Sequence, residues 1–297
     1  MPLLSGRVAI VTGAGAGIGR AEARALAAHG AAVVVNDLAG RNESAEKVCE
    51  EIVAAGGRAV AHEADAADWA TGDALVGRAM DTFGRLDVVV ANAGLVRRSP
   101  LVAVTEEDLD RQTAVLFKGT YGLLHHAARR WSTHEAGPGD HRTVVLTSSS
   151  AGVPGGVEEF SVYGALKAAV ATLATTAALE LAPHGVTVNA ILPHAATRMD
   201  AEAKGIAEVP GPADDETHLD SPRHVGEFVA WLVSHRAAHL SGQVFEVSGR
   251  AIRLWRPWGV AAELPGTAPW TPDVLDAEVA GHVYRTRPVG RRIPRRP

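Results

Sequence analysis

Tyr163 and Lys167 stand four residues apart in Tyr163-Gly164-Ala165-Leu166-Lys167, and three serines, Ser148-Ser149-Ser150, precede them. On a helix, positions four apart share a face, so the phenol and ammonium heads come within reach of each other. A neighbouring positive charge favours the phenolate and lowers a phenol's pKa. Tyr163 is therefore a candidate general acid/base, and a serine hydroxyl is a candidate to hold the oxygen whose proton is exchanged. Taken alone, Y-x-x-x-K is a weak pattern and fits an exposed helical Tyr and Lys better. A glycine-rich turn near the N-terminus gives it weight.

That turn must come between a strand and a helix to do chemistry. Val8-Ala9-Ile10-Val11 is a short apolar run that predicts a buried strand. It leads into Thr12-Gly13-Ala14-Gly15-Ala16-Gly17-Ile18-Gly19, followed by a helical stretch through His29. Glycines there permit a tight turn and a close approach of backbone to a pyrophosphate, and the helix N-terminus presents free N–H groups to the anion. Val33-Val34-Val35 predicts a second strand ending at Asn36-Asp37. A carboxylate at that place accepts hydrogen bonds from ribose hydroxyls and repels a 2′-phosphate, which favours NAD over NADP. Arg20 and Arg41 lie near enough in sequence to complicate that preference.

Gly13, Gly17 and Gly19 are spaced as T-G-x-x-x-G-x-G rather than G-x-G-x-x-G. With Asn92-Ala93-Gly94 and Tyr163-x-x-x-Lys167 following in order, residues 5–250 resemble the classical branch of the short-chain dehydrogenase/reductases. The resemblance implies one Rossmann-type, doubly wound α/β domain over residues 1–250, with a central parallel sheet of about seven strands and a C-terminal extension, 251–297. It implies a cofactor site of Gly13, Gly17, Ile18, Gly19, Asp37, Asp65, Ala66, Asn92, Tyr163, Lys167 and Thr197. Asp65 and Ala66 would meet the adenine, Asn92 would line its ribose, and Thr197 would bind the carboxamide. The implied catalytic set is Ser149, Tyr163 and Lys167, acting on a secondary alcohol or ketone. The S-x-A-G match selects Ser149, whereas a spacing of 13 before the tyrosine selects Ser150.

Two positions depart from the family pattern. Leu116 stands where an asparagine commonly completes the catalytic set by holding a relay water, and leucine cannot hold it. His194 follows Pro193 where glycine is usual, altering the turn expected against the nicotinamide. These departures keep open a rival reading, a nucleotide-binding relative that has lost catalysis and serves as a regulatory or scaffolding subunit. Val35-Asn36-Asp37-Leu38 is similar to the 3-hydroxyacyl-thioester dehydrogenase branch, a narrower enzymatic alternative.

Predicted elements fill in the rest. Helices are expected over 43–55, from Asp68, over 106–131, 160–182 and 222–235. Further strands are expected at 58–62, 86–91, 144–146, 186–191 and 243–247. Residues 198–220, rich in charge, glycine and proline, predict a loop or a mobile lid, and the resemblance implies that it closes over substrate. His125 and His126 read as packing or surface residues. The extension holds Trp255, Trp258, Trp270 and six arginines between Arg285 and Arg296, a solvated tail or one that docks on an acidic surface.

Composition sets outer bounds. The 297 residues are 46% hydrophobic and 21% charged, enough to bury a full core. Cys49 is the single cysteine, so no disulfide forms within the chain. No secretory signal and no uninterrupted apolar run of membrane-spanning length is found, and the cytoplasm is the expected compartment. A net charge of −5 gives no reason to expect nucleic-acid binding. No metal site is expected among the scattered histidines. The apolar helix carrying Tyr163 predicts burial on several sides, and the resemblance adds a homodimer or homotetramer through it.

Overall fold

The computed structural model describes residues 2–40, 44–133, 137, 141–153, 156–199, 201, 218–256 and 269–278. Arg41, the 202–217 part of the expected substrate loop, Trp258 and the arginine-rich end of the tail lie outside the described residues.

Short β-branched runs form the strands. β1 (Val8–Thr12), β2 (Ala32–Asp37), β3 (Arg58–Glu63), β4 (Val88–Ala91), β5 (Arg142–Thr147), β6 (Val186–Pro193), β7 (Val244–Val247) and β8 (Ile252–Trp255) make one sheet. Its order is β3-β2-β1-β4-β5-β6-β7-β8. Seven strands run parallel, and β8 closes the edge antiparallel to β7, pairing Val244 with Trp255 and Val247 with Ile252. This eighth strand is one more than the sequence predicted. Order reverses between β1 and β4, and at that switch point the strands' C-terminal ends open a crevice.

Helices cover both faces. α1 (Gly17–Ala28), α2 (Ala45–Ala54) and α7 (Arg223–Leu232) pack one face through Leu26, Ile52, Val225 and Phe228. α3 (Trp69–Phe83), α5 (Thr120–Ser132) and α6 (Ser161–Leu181) cover the other through Leu75, Leu123, Trp131, Val170 and Ala174. Each fully buried Val or Leu side chain contributes roughly 1.5–3 kcal/mol, so the sheet needs little from its loops. Asp68 caps α3 by accepting from Ala70 N at 3.2 Å, and Gly84 ends it at φ 78°.

Two departures from the expected helices stand out. The long stretch 106–131 divides into α4 (Glu106–Thr113), a π-helical turn over Ala114–Gly119, and α5. Helix α6 with its short extension, Ser161–His184, has a mean hydropathy of 1.4 and is long and apolar enough to cross a membrane by composition. It has that composition although Lys167 and Glu180 interrupt its run, and it lies against the sheet through Val170, Ala174 and Ala178.

Candidate active site

The glycine turn is built for close approach. A Cβ on Gly13 would stand 2.7 Å from Ala93 Cα, and one on Gly19 would run into Gly13 O and the Asn92 amide. Gly13 and Gly17 hold φ of 62° and 55°, which glycine adopts without strain. Ala16 precedes α1 with no side-chain cap, and no acidic residue occupies the first turn. The N–H groups at this helix end are thus left for an anion. A dinucleotide pyrophosphate fits these features.

Neighbouring strand ends hold the turn. Asn92 Nδ2 donates to Thr12 O at 3.0 Å and Gly13 O at 3.1 Å. The Thr12 hydroxyl accepts from Asn92 N at 3.2 Å and Ala93 N at 3.1 Å. Spacing alone assigns Thr12 no role; here it stitches β1 to the loop after β4. Asp37 ends β2 with Oδ2 accepting from Gly15 N and Oδ1 from Leu38 N, each at 2.7 Å. Its carboxylate therefore borders the turn from the side where an adenosine ribose would lie. Asp65 accepts from Ala67 N at 2.9 Å and pairs with Arg111 at 3.0 Å. Burial pushes its pKa up, but that hydrogen bond and the guanidinium together outweigh it and leave the carboxyl below its usual range. Ala66 packs so closely on Gly119 that a Cβ there would run into Ala66 O. Thr197 meets the turn from the far side, its Cγ2 3.4 Å from a Cβ built on Gly17.

The strand register separates the three serines. Ser148, at the end of β5, is buried and donates to Lys167 O at 2.6 Å. Ser149 accepts from Ala151 N at 3.1 Å, and its hydroxyl lies close enough to the Tyr163 phenol to lower that phenol's pKa. Gly152 and Gly164 bring this loop onto α6: a Cβ on Gly164 would stand 2.8 Å from Ala151 O. Ser149 is the serine brought to the phenol.

Lys167 is oriented differently from the sequence expectation. It is only 4% exposed, and its Nζ donates to Thr147 O at 2.6 Å, standing 5.9 Å from the centroid of the Tyr163 ring. Burial lowers the ammonium's pKa to about 8. The Tyr163 pKa lies above its ordinary value because burial raises it more than the nearby Ser149 hydroxyl lowers it. The lowering expected from Lys167 is corrected on this point, since the ammonium turns toward a strand carbonyl rather than the phenol oxygen. The phenol is held in its proton-donating form.

Leu116 lies fully buried in the π-helical turn. A Cβ on Gly94 would stand 3.4 Å from Leu116 Cδ2 and 3.8 Å from Lys167 Nζ, so apolar methyls line this side of the ammonium. His125 and His126 sit apart from it, packed against Trp69, the first tilted and the second edge-on, with ring centroids 5.1 and 5.5 Å away. His194 N donates to Val247 O at 2.8 Å, and its ring lies 3.5 Å from Glu246 Oε1, tying the turn after β6 to β7.

A family model described as short chain dehydrogenase matches residues 7–205. The chain belongs to the short-chain dehydrogenase family. It is 41% identical over 263 residues to hydroxyacyl-CoA dehydrogenase ChsB1 of Mycobacterium tuberculosis, covering 86% of this chain and 81% of that one. Peroxisomal multifunctional enzyme type 2 of Mus musculus is 36% identical over 82% of this chain, which spans only 31% of that longer protein. A short chain dehydrogenase from Mycobacterium avium superposes with a TM-score of 0.83 at 38% identity, covering 97% and 98% of the two chains. A short chain dehydrogenase from Burkholderia cenocepacia, solved in complex with NADP, gives 0.69 at 31% identity over 83% and 98%. These relatives make the chain a member of an oxidoreductase family that uses a nicotinamide cofactor.

Proposed function

We propose that the protein catalyses reversible hydride transfer between a nicotinamide dinucleotide, NAD in preference to NADP, and a secondary alcohol or ketone. The observation that carries this reading is the convergence of Ser149 and Tyr163 beside buried Lys167, at the open end of the sheet. Gly13, Gly17, Ile18 and Gly19 would seat the pyrophosphate, Asp37 the adenosine ribose, Asp65 and Ala66 the adenine, and Thr197 the nicotinamide. Bound cofactor supplies the hydride or accepts it. In reduction Tyr163 gives its phenolic proton to the carbonyl oxygen as that carbon gains hydride, and Ser149 holds the same oxygen. In oxidation the phenolate takes the hydroxyl proton back. Lys167, held on Thr147 O, would bind the nicotinamide ribose beside it.

Within this reaction class, a 3-hydroxyacyl thioester is the favoured substrate. Its support is the 41% identity to a protein named hydroxyacyl-CoA dehydrogenase and the Asn36-Asp37-Leu38 sequence closing β2. The scaffolding alternative draws on buried Leu116. A cytoplasmic homodimer or homotetramer is proposed, with Leu179 of α6, 79% exposed, available to such an interface. The test is a panel of ketones, alcohols and 3-oxoacyl thioesters with NAD(H) and NADP(H), followed through the absorbance of reduced nicotinamide. Turnover that Tyr163→Phe abolishes is the expected result; absence of turnover across the panel, with cofactor still bound, would favour the scaffold.

A further inference from the structure

Glu159 is the one non-glycine residue among those described with a left-handed backbone, at φ 67°. That conformation is unfavourable for a residue bearing a Cβ, so the surroundings must hold it. They do so from the loop after β4. Arg98 Nε pairs with Glu159 Oε2, and Ser99 N donates to Glu159 O at 2.9 Å. Ser99 and Phe160 form an isolated parallel bridge. Phe160 then begins α6, accepting from Gly164 N at 2.7 Å, and its ring meets the Tyr163 ring edge-on at 5.8 Å. Helix α6 has no side-chain cap at this end, so the bridge and the ion pair fix where it starts.

We propose that Arg98 and Glu159 form a positioning latch: by holding the turn before α6 they seat Phe160 against Tyr163 and set the phenol's place for proton exchange. The two loops it joins both reach the site, one through Gly94 beside Lys167 and the other through Tyr163 itself. Both partners are partly exposed, side chains 32% and 25%, and such pairs contribute little to global stability. Rate responds far more strongly, since a displacement of about 1 Å at a reacting group costs about 10²-fold. The latch rests on Tyr163 being the acid/base.

The test compares Arg98→Ala, Glu159→Gly, Arg98→Lys and Tyr163→Phe on the fastest ketone of the panel. Arg98→Ala should lower kcat about 10–100-fold with KM and melting temperature nearly unchanged, and Arg98→Lys should recover part of the loss. Glu159→Gly relieves the backbone strain yet removes the pair, so it should fall with Arg98→Ala. A substrate-free readout accompanies these: pH titration of tyrosinate absorbance, with Tyr163→Phe identifying the Tyr163 step. Loosening the latch should let that phenol, which faces Ser149 and Lys167, titrate lower than in the intact protein. Glu159→Gly at wild-type kcat, or an unmoved Tyr163 titration in Arg98→Ala, overturns the latch even where Tyr163→Phe is inactive. An active Tyr163→Phe instead overturns the acid/base reading beneath it.

Discussion

The two ends of the same sheet are finished in opposite ways. Where the strands begin, polar groups are consumed internally. Arg7 is buried and donates to Val233 O, His141 O and, at 3.3 Å, Asp87 O. Asp87 Oδ2 accepts from Val8 N at 2.8 Å, and Arg85 closes on the same carboxylate at 2.7 Å. Trp131 Nε1 and Arg142 add bonds to Leu86 O and Trp131 O. Where the strands end, α1 starts uncapped, a glycine turn approaches bare backbone, and Ser149, Tyr163 and Lys167 converge. One end uses its hydrogen-bonding capacity for stability, and the other leaves the start of α1 without a side-chain cap. A parallel sheet makes this division natural, because all its strands end on the same side.

Substitutions at the two ends should therefore separate rate from stability. Tyr163→Phe should lower kcat about 10²–10⁴-fold, the usual contribution of general acid/base catalysis, with melting temperature and cofactor affinity held. Arg7→Met should do the reverse. It takes a donor from Val233 O, His141 O and Asp87 O, the last of which keeps Thr143 N, a loss on the order of a few kcal/mol, while the enzyme that remains folded keeps its kcat. Urea unfolding and steady-state kinetics on both variants check the contrast. A rate defect in Arg7→Met at full folding would dissolve the distinction between the ends.

Glu22 belongs to neither end and offers a pH test. It is fully buried on α1, neither carboxylate oxygen has a hydrogen-bond partner among the described residues, and a Cβ on Gly226 of α7 would stand 3.2 Å from Glu22 N. Burial raises its pKa from 4.5 to about 8. The folded state thus holds this proton more tightly than the unfolded chain. Its contribution to stability is fully present below about pH 4.5 and is lost as pH rises through about 8. Glu22→Gln should flatten that slope, raising the melting temperature more at pH 8 than at pH 5. An identical shift at both values would mean the carboxyl is not titrating in the fold.

Asp37 should produce a smaller, selective change. Its carboxylate borders the glycine turn through Gly15 N, so Asp37→Ala removes both ribose acceptors and the repulsion of a 2′-phosphate. The NAD/NADP affinity ratio should fall about tenfold or more, since like-charge juxtaposition costs on the order of several kcal/mol. Titrating both cofactors by protein fluorescence decides it. An unchanged ratio places the selectivity elsewhere.

Much of this architecture was legible in the sequence because buried parallel strands leave an unmistakable residue signature. Val33-Val34-Val35 can hardly be anything else, and Gly13, Gly17 and Gly19 take their meaning from the strand before and the helix after. Ser149 was harder. Alternation along β5 sends Ser148 inward to Lys167 O, and only the register shows that Ser149 reaches Tyr163. Lys167 was readable as Tyr163's neighbour, yet not as a donor to Thr147 O, because four-residue spacing fixes a face and not a rotamer. The π-helical turn left no trace, since Ala114–Gly119 has ordinary helix composition. Glu159 was invisible for a similar reason: a left-handed backbone is imposed by Arg98 and Ser99, far away in sequence.

β8 was missed for a different reason, and it supplies the smallest expected effect. Ile252 and Leu254 are exposed, 59% and 55%, so the strand lacks a buried apolar face. The residues on its other face, Arg253 and Trp255, are polar in function. Arg253 pairs with Glu246 at 2.6 Å, and Trp255 Nε1 donates to the same carboxylate at 2.8 Å. Glu246 also faces His194 at 3.5 Å, and His194 opens the turn that leads to Thr197 beside Gly17. Cutting after Arg256 leaves all of this in place and should leave cofactor affinity alone. Cutting before Ala251 removes β8, exposes the β7 edge and strips Glu246 of two donors. That variant should fold, with stability lower by about 1–2 kcal/mol for the lost hydrogen bonds and cofactor affinity reduced severalfold. Thermal unfolding and fluorescence titration of the two truncations measure the difference. Equal behaviour would show that the edge strand covers the sheet without bracing the turn after β6, and light scattering on the same samples would report any part it has in assembly.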